Sequence, residues 1–144
     1  MMKLPSELSK PKKRRSNREH ELQSAAVLWF RYQYSPFQKL LFAIPNGGKR
    51  PKKEYTNRAG QVKRYSPEAQ RLKKEGVVEG VLDLFLSVPR GRYHGFYLET
   101  KTEKGTLSDE QEVFIHEVQN QGYKVVVYRT IEQFMSAIND YMKL

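Results

Sequence analysis

Two apolar stretches, GVLDLFLS (residues 80–87) and HGFYLETK (residues 94–101), read as buried strands and yet carry charged side chains. Asp83 lies within the first stretch, and Glu99 and Lys101 lie within the second. A buried charge costs several kcal/mol unless it is paired, hydrogen-bonded or bound to a metal ion. These three side chains therefore need partners that offset the cost of burying them.

The spacing of the three side chains predicts that they meet at one place on a sheet. Side chains two residues apart on a strand share a face, so Glu99 and Lys101 point the same way. An antiparallel pairing across the turn at residues 89–93 would bring Asp83 near Glu99. Two facing carboxylates repel each other unless a cation lies between them, and hard divalent ions such as Mg²⁺ prefer oxygen ligands.

This arrangement is typical of a metal-dependent phosphodiesterase. A lysine beside a bound divalent ion can orient the attacking water, help to deprotonate it, or stabilise charge on a phosphate. The alternative is structural: Glu99 and Lys101 would form a surface ion pair on an edge strand, and Asp83 would serve as a cap. The acid-x-Lys triplet is common, and only its strand context favours the catalytic interpretation.

The distribution of charge indicates a polyanionic partner. The chain has 144 residues and a net charge of +10, but residues 1–18 carry +6, residues 47–74 carry +8, and the remainder carries −4. Nucleic acid is the commonest partner for such basic segments. The alternative is a solubilising tail together with a charged loop. An anionic membrane is disfavoured because neither basic segment has an amphipathic apolar face.

Composition sets the broad class of the protein. There are no cysteines, which excludes a disulfide framework and thiolate metal sites. No apolar run approaches the length of a membrane span, and the N-terminus lacks the apolar stretch of a signal peptide. We expect a protein of the cytoplasm, or of the host cytoplasm if the chain is viral.

Turn and capping residues divide the chain into short elements. We expect a flexible basic arm at residues 1–15 and one domain at residues 16–144. Helices are predicted after N-caps at Ser16, Ser66, Ser108 and Thr130. Strands are predicted at residues 40–45, 82–88, 94–101 and 123–128, and the basic residues 49–65 are predicted to form a loop. The order αβαββαβα predicts an α/β fold with a mixed β-sheet flanked by helices.

Six stretches carry a family resemblance: EHELQ (19–23), IPNGGKR (44–50), EAQRLKKEGVVEGVLDLFL (68–86), FYLETK (96–101), LSDEQ (107–111) and GYKVVVY (122–128). In this order and spacing they resemble the VRR-NUC (virus-type replication-repair nuclease) family of the PD-(D/E)xK nuclease superfamily. The resemblance implies a restriction-endonuclease-like core and a DNA endonuclease that uses Mg²⁺ or Mn²⁺. It further implies a homodimer that prefers branched or junction DNA in phage or viral replication, recombination or repair.

The resemblance also assigns roles to residues. It implies that Asp83 and Glu99 bind the metal, that the backbone carbonyl of Thr100 adds a third oxygen, and that Lys101 is the catalytic lysine. It implies that Gln111 points into the site, which is compatible with its other expected role as a capping-box partner of Ser108.

An acidic residue on the first helix completes the implied site and could be Glu19 or Glu21. We favour Glu19 as a further metal ligand, because its spacing from Leu22 and Ala26 places it on the buried side of the helix. Its alternative role is a capping box with Ser16.

The basic segment up to Tyr65 extends the family's stretch after the turn at residues 46–48, and we expect it to contact DNA phosphates. Tyr55 and Tyr65 are the aromatic residues best placed for nucleic-acid contact. The residues expected to bind DNA are Asn46, Gly47, Gly48, Lys49, Arg50, Lys52, Lys53, Lys63 and Arg64.

Two other functions are compatible with the sequence. A non-catalytic DNA-binding module could retain the nuclease fold, although it would have no physical reason to keep a costly cluster of acids. A nuclease directed at RNA is the third possibility.

Overall fold

The computed structural model describes residues 11–45 and 53–144, with side chains from residue 17 onward. Residues 1–10 of the predicted arm, and the predicted DNA-binding residues between 46 and 52, lie outside this description. The helices and strands are α1 (Pro11–Gln33), β1 (Leu41–Ala43), β2 (Lys53–Thr56), β3 (Val62–Tyr65), α2 (Pro67–Lys74), β4 (Leu84–Leu86), β5 (Phe96–Thr100), α3 (Asp109–Asn120), β6 (Lys124–Tyr128) and α4 (Ile131–Met142).

The central sheet is mixed, as the sequence predicts. Its strand order is β1-β4-β5-β6. The first two pairings are antiparallel, and β5 pairs with β6 in parallel. A parallel pair needs a crossover connection, and α3 supplies it. The predicted α/β class with helices flanking a mixed sheet is therefore confirmed.

The two faces of the sheet have different partners. Leu84, which lies opposite Leu98 in the register, faces the core together with its neighbours at every second position. Helices α1 and α4 cover this face with buried side chains that include Phe30 and Phe134. On the other face, Tyr97 contacts Phe114 of α3 with ring centroids 5.3 Å apart. The sheet thus lies between α1 and α4 on one side and α3 on the other.

Three of the four predicted N-caps are confirmed. The side chains of Ser66, Ser108 and Thr130 each accept a hydrogen bond from the backbone amide three residues later, at 3.1–3.2 Å. These bonds satisfy amide groups that the first turn of a helix leaves without a partner.

The predicted start of the first helix is wrong. Helix α1 begins at Pro11, so residues 11–15 are helical and Ser16 lies inside the helix, where it is not an N-cap. Proline is favoured at the first helical position, and the lysines and arginines that follow it are good helix formers. The charge of residues 12–15 favours a flexible tail, but their helix propensity prevails.

The predicted loop at residues 49–65 is also wrong in its described part, which forms a β-hairpin of β2 and β3. Asn57 closes the turn, because its Oδ1 accepts hydrogen bonds from the amides of Ala59 (3.0 Å) and Gln61 (2.9 Å). The hairpin forms a separate two-stranded sheet. It is an insertion into the predicted element order.

The two strands that carry the charged residues are shorter than predicted. Residues 82–88 and 94–101 contain only β4 and β5. Asp83 therefore lies immediately before β4, and Lys101 lies immediately after β5, at the same end of the antiparallel pair. No helix in the described part of the chain is long and apolar enough to cross a membrane.

Candidate active site

The two acids meet where β4 and β5 end, as the predicted antiparallel pairing requires. Glu99 Oε2 accepts a hydrogen bond from the amide of Asp83 at 3.0 Å. Asp83 Oδ2 accepts one from the amide of Thr100, also at 3.0 Å. Each carboxylate therefore bonds to the backbone of the opposite segment, which fixes both side chains against the sheet.

The second oxygen of Glu99 brings two further residues into the site. Glu99 Oε1 lies 3.1 Å from Lys101 Nζ and accepts a hydrogen bond from Gln111 Nε2 at 2.6 Å. The Glu99 side chain is 3% exposed and that of Lys101 is 13% exposed. The predicted alternative of an exposed surface pair is therefore wrong, because the pair is nearly buried.

Gln111 has both of the roles that the sequence indicated. Its side-chain oxygen accepts from the amide of Ser108 at 3.0 Å, which completes the capping box of α3. Its side-chain NH₂ group donates to Glu99. One amide side chain thus connects the start of α3 to the buried carboxylate.

Burial raises the pKa of both carboxyl groups. For Asp83, desolvation is the largest cause, and the negative charge of Glu19 adds to it. For Glu99, desolvation again comes first, and the charge of Asp83 is the next cause. The Thr100 amide and Lys101 oppose the increase in the pKa of Asp83, but do not cancel it. The site therefore binds a proton more readily than two exposed carboxylates would.

Of the two candidate acids on α1, the structure places Glu19 at the site. Glu19 Oε1 accepts a hydrogen bond from the amide of Thr102 at 3.3 Å, directly after Lys101. Glu21 is exposed. Because residues two apart on a helix do not face the same way, only one of these acids can reach the sheet.

Thr100 contributes to the site through its side-chain hydroxyl and through its backbone. Its hydroxyl donates to the buried hydroxyl of Tyr128 at 2.5 Å on the core face. The backbone amide of Thr100 points toward Asp83. Because the N–H and C=O groups of one strand residue point to the same side of the strand, the carbonyl of Thr100 also faces Asp83. The predicted third oxygen is therefore on the side where it is needed.

The donor set fits a hard divalent ion. Asp83 Oδ2 is used by the Thr100 amide, and no hydrogen bond joins Asp83 Oδ1 to another of the described residues. The same residues contain no cluster of three or more His, Asp or Glu side chains that could hold a metal by themselves. Two carboxylates, a carbonyl and several waters are the kind of ligand set that Mg²⁺ uses.

The predicted DNA-binding residues within the described chain separate into two groups. Lys53 and Lys63 lie on one face of the hairpin, as their register with Tyr65 and Tyr55 requires. Arg64 lies on the opposite face, where its Nε is 2.8 Å from Glu54 Oε1. Asn46, Gly47, Gly48, Lys49, Arg50 and Lys52 lie outside the described residues.

A family model for the VRR-NUC domain matches residues 17–130. The chain belongs to the VRR-NUC family. A solved structure titled "VRR_NUC domain protein" is 26% identical, covers 88% of both chains and superimposes with a TM-score of 0.69. A comparison with curated proteins found no match. The predicted family is thus confirmed, and the chain is a nuclease-fold DNA-processing domain.

Two contributors to the site were missed in the sequence. Arg129 NH1 donates to the carbonyls of Thr102 (2.7 Å) and Gly105 (2.6 Å), and so holds the loop that follows Lys101. Gly80 has φ +86° and lies so close to α3 that a Cβ there would be 2.3 Å from the carbonyl oxygen of Glu110. Nothing in the local sequence indicates this role for Arg129. Gly80 could have been identified from the sequence, because it stands just before Asp83 and strand β4.

We predict that Asp83→Asn stabilises the metal-free protein at neutral pH. A carboxyl group whose pKa is raised by folding contributes stability below its unfolded pKa and loses it as the pH rises through the folded pKa. The variant has no such loss at this position, so its unfolding free energy should exceed that of the unaltered protein by on the order of 1 kcal/mol. Urea unfolding in EDTA across the acid-to-neutral range measures this.

The same pair of proteins tests metal binding. Mg²⁺ should stabilise the unaltered protein more than Asp83→Asn, because the amide lacks the negative charge that a divalent ion binds. In EDTA, a difference in unfolding free energy between Asp83→Asn and the unaltered protein that shrinks as the pH rises would contradict the raised pKa of Asp83.

We predict that Gly80→Ala displaces the first turn of α3 and weakens the bond from Gln111 to Glu99. The strained φ alone costs about 1–2 kcal/mol, and the contact with Glu110 adds to it. Gly76→Ala is the matched control, since Gly76 also has a positive φ (+100°) but a Cβ there would meet nothing within 4 Å. Urea unfolding should show a larger loss for Gly80→Ala, and equal losses would show that the approach of α3 is unimportant.

Proposed function

We propose that this VRR-NUC domain is a DNA endonuclease that depends on Mg²⁺ or Mn²⁺ and hydrolyses phosphodiester bonds. The observation that carries the proposal is the pairing of half-buried Asp83 with buried Glu99, together with Lys101 and Gln111 on the same oxygen of Glu99. Keeping two repelling carboxylates in an apolar sheet is costly unless a cation is to bind between them. A module that only binds DNA would gain nothing from this cost.

Asp83, Glu99 and the carbonyl of Thr100 would hold the metal, with Glu19 at the edge of the site. When bound, a divalent ion supplies Lewis acidity to the phosphate and lowers the pKa of a bound water. Gln111 keeps Glu99 in one orientation through its two hydrogen bonds. Arg129 and Glu19 hold the segment after Lys101 in place.

Lys101 would be the catalytic lysine. Its Nζ is held 3.1 Å from Glu99 Oε1, and an ammonium group has three N–H donors. One donor is used by Glu99, which leaves others for the attacking water or a phosphate oxygen. Because the side chain is nearly buried, these donors act in a medium of lower dielectric than water, where hydrogen bonds to charged oxygens are stronger.

We predict that Asp83→Ala and Lys101→Ala abolish metal-dependent cutting while DNA binding persists. The assay uses plasmid, linear duplex and four-way junction DNA with Mg²⁺, Mn²⁺ or EDTA. Gln111→Ala should reduce the rate by about 10–100-fold, as expected for a residue that orients a metal ligand. Asp140→Ala, which removes an exposed aspartate on α4, is the control and should cut like the unaltered protein.

The outcomes of this assay separate the three candidate functions. Faster cutting of the junction than of the linear duplex would support the branched-DNA preference. Binding without cutting by the unaltered protein in either metal would favour the non-catalytic DNA-binding module. A competition between labelled RNA and DNA, added to the same assay, tests the third function, and preferential cutting of the RNA would favour the RNA nuclease.

We further propose that the active form is a homodimer. Each chain carries one Asp83–Glu99 site, and cutting both strands of a duplex or junction needs two sites related by a two-fold axis. We predict a mass of two chains by sedimentation equilibrium under cleavage conditions. A monomer that makes double-strand cuts at one position would contradict the proposal.

A further inference from the structure

The β2–β3 hairpin is set apart from the rest of the described chain. Its strands pair only with each other, and neither packs extensively against a helix or another strand of the described residues. Seven of its eight strand residues are exposed. A two-stranded hairpin gains little stability alone, so its side chains are better explained by contact with a partner than by the core.

The register divides the hairpin into two chemically different faces. Lys53 pairs with Tyr65, and Tyr55 pairs with Lys63. Since side chains alternate along a strand, these four residues share one face, which we call the Lys-Tyr face. The opposite face carries Glu54, Thr56, Val62 and Arg64.

Charge and aromatic surface are concentrated on the Lys-Tyr face. It carries two positive charges at diagonally opposed corners, roughly 7–8 Å apart. The two tyrosines occupy the other corners, with ring centroids 5.7 Å apart and planes at 77°, and Tyr55 is 51% exposed. On the opposite face the ion pair of Glu54 and Arg64 leaves no net charge.

We propose that the Lys-Tyr face binds an unpaired segment of DNA, with a base stacked on Tyr55 and phosphates bound by Lys53 and Lys63. Sites for single-stranded nucleic acid combine a positive surface with aromatic rings on which bases stack. This rests on the proposed function for the identity of the nucleic acid. It adds that the enzyme binds the unpaired part of its substrate outside the active site.

A single strand fits this face better than a duplex. In a duplex the faces of the bases are stacked on each other, and a protein reads their edges in the grooves. A tyrosine ring therefore finds no free base face in a duplex, whereas the exposed ring of Tyr55 offers a stacking surface. Unpaired bases have a free face that can stack on that ring.

The test measures binding of the full chain, in EDTA, to a labelled oligothymidylate and to a duplex of the same length by fluorescence anisotropy. Tyr55→Leu should weaken single-strand binding roughly tenfold, because stacking is lost while an apolar side chain remains beside Tyr65. Tyr55→Phe should restore it. Lys63→Gln should reduce the slope of log affinity against log salt by about 0.7.

Two controls separate the Lys-Tyr face from general surface effects. The double variant Glu54→Gln/Arg64→Gln removes the ion pair on the opposite face without changing net charge, and Tyr32→Leu removes a tyrosine on α1 that is 81% exposed. Both should bind the single strand like the unaltered protein. Thermal unfolding should be unchanged in every variant, because the hairpin lies outside the core.

Several results would overturn the inference. These are unchanged single-strand binding by Tyr55→Leu, failure of Tyr55→Phe to restore it, or an equal loss in the Glu54→Gln/Arg64→Gln variant. An equal loss of duplex binding would assign the face to duplex DNA instead.

Cleavage assays with the same proteins distinguish this inference from the proposed function. If the unaltered protein cuts DNA and the Lys-Tyr variants bind single strands normally, the inference about the hairpin alone fails. If no DNA is cut in any metal but Tyr55→Leu weakens single-strand binding, the proposed catalysis fails and the binding face stands.

Discussion

Two neighbouring carboxylates at the end of one strand pair, Glu99 buried and Asp83 half-buried, are the constraint on which the rest of the structure depends. Asp83 and Glu99 repel each other, and burial raises the pKa of both groups. The protein offsets part of this cost with backbone amides from the opposite segment and with Lys101 and Gln111. Since these hydrogen bonds and the ammonium group of Lys101 do not cancel the shift, the site keeps a raised affinity for a proton. The ionised carboxylates of the site therefore reduce folding stability at neutral pH.

The positions of three helices follow from this constraint. Helix α1 brings Glu19 to the segment after Lys101, and the first turn of α3 brings Gln111 to Glu99. The second contact requires the close approach of α3 at Gly80. Helix α4 begins next to Arg129, which holds the loop between β5 and α3 through the carbonyls of Thr102 and Gly105. A substitution at Gly80 or Arg129 therefore acts on the site by moving the backbone that positions its side chains.

The central sheet and the core of the site could be predicted because their signals are local. Alternating apolar residues, hydroxyl caps and a turn at residues 89–93 predicted the pairing that joins Asp83 to Glu99. The hairpin was missed because its strands bury almost nothing, so hydrophobic alternation is absent and half of the strand residues are charged. The role of Arg129 was missed for another reason: its partners are backbone carbonyls 24 and 27 residues away, and these leave no mark on the local sequence.

The hairpin and the carboxylate site differ in how the fold uses charge. At the site, opposite charges are brought into the protein, and three of the four carboxylate oxygens of Asp83 and Glu99 accept a hydrogen bond, which gives a fixed geometry suited to chemistry. On the hairpin, Lys53 and Lys63 have no ion pair among the described residues, while Arg64 on the other face does. If charge alone mattered for DNA contact, either face would serve equally well. The pairing of Arg64 with Glu54 leaves only the face that also carries the tyrosines with a net charge, and this favours a partner with both phosphates and exposed bases.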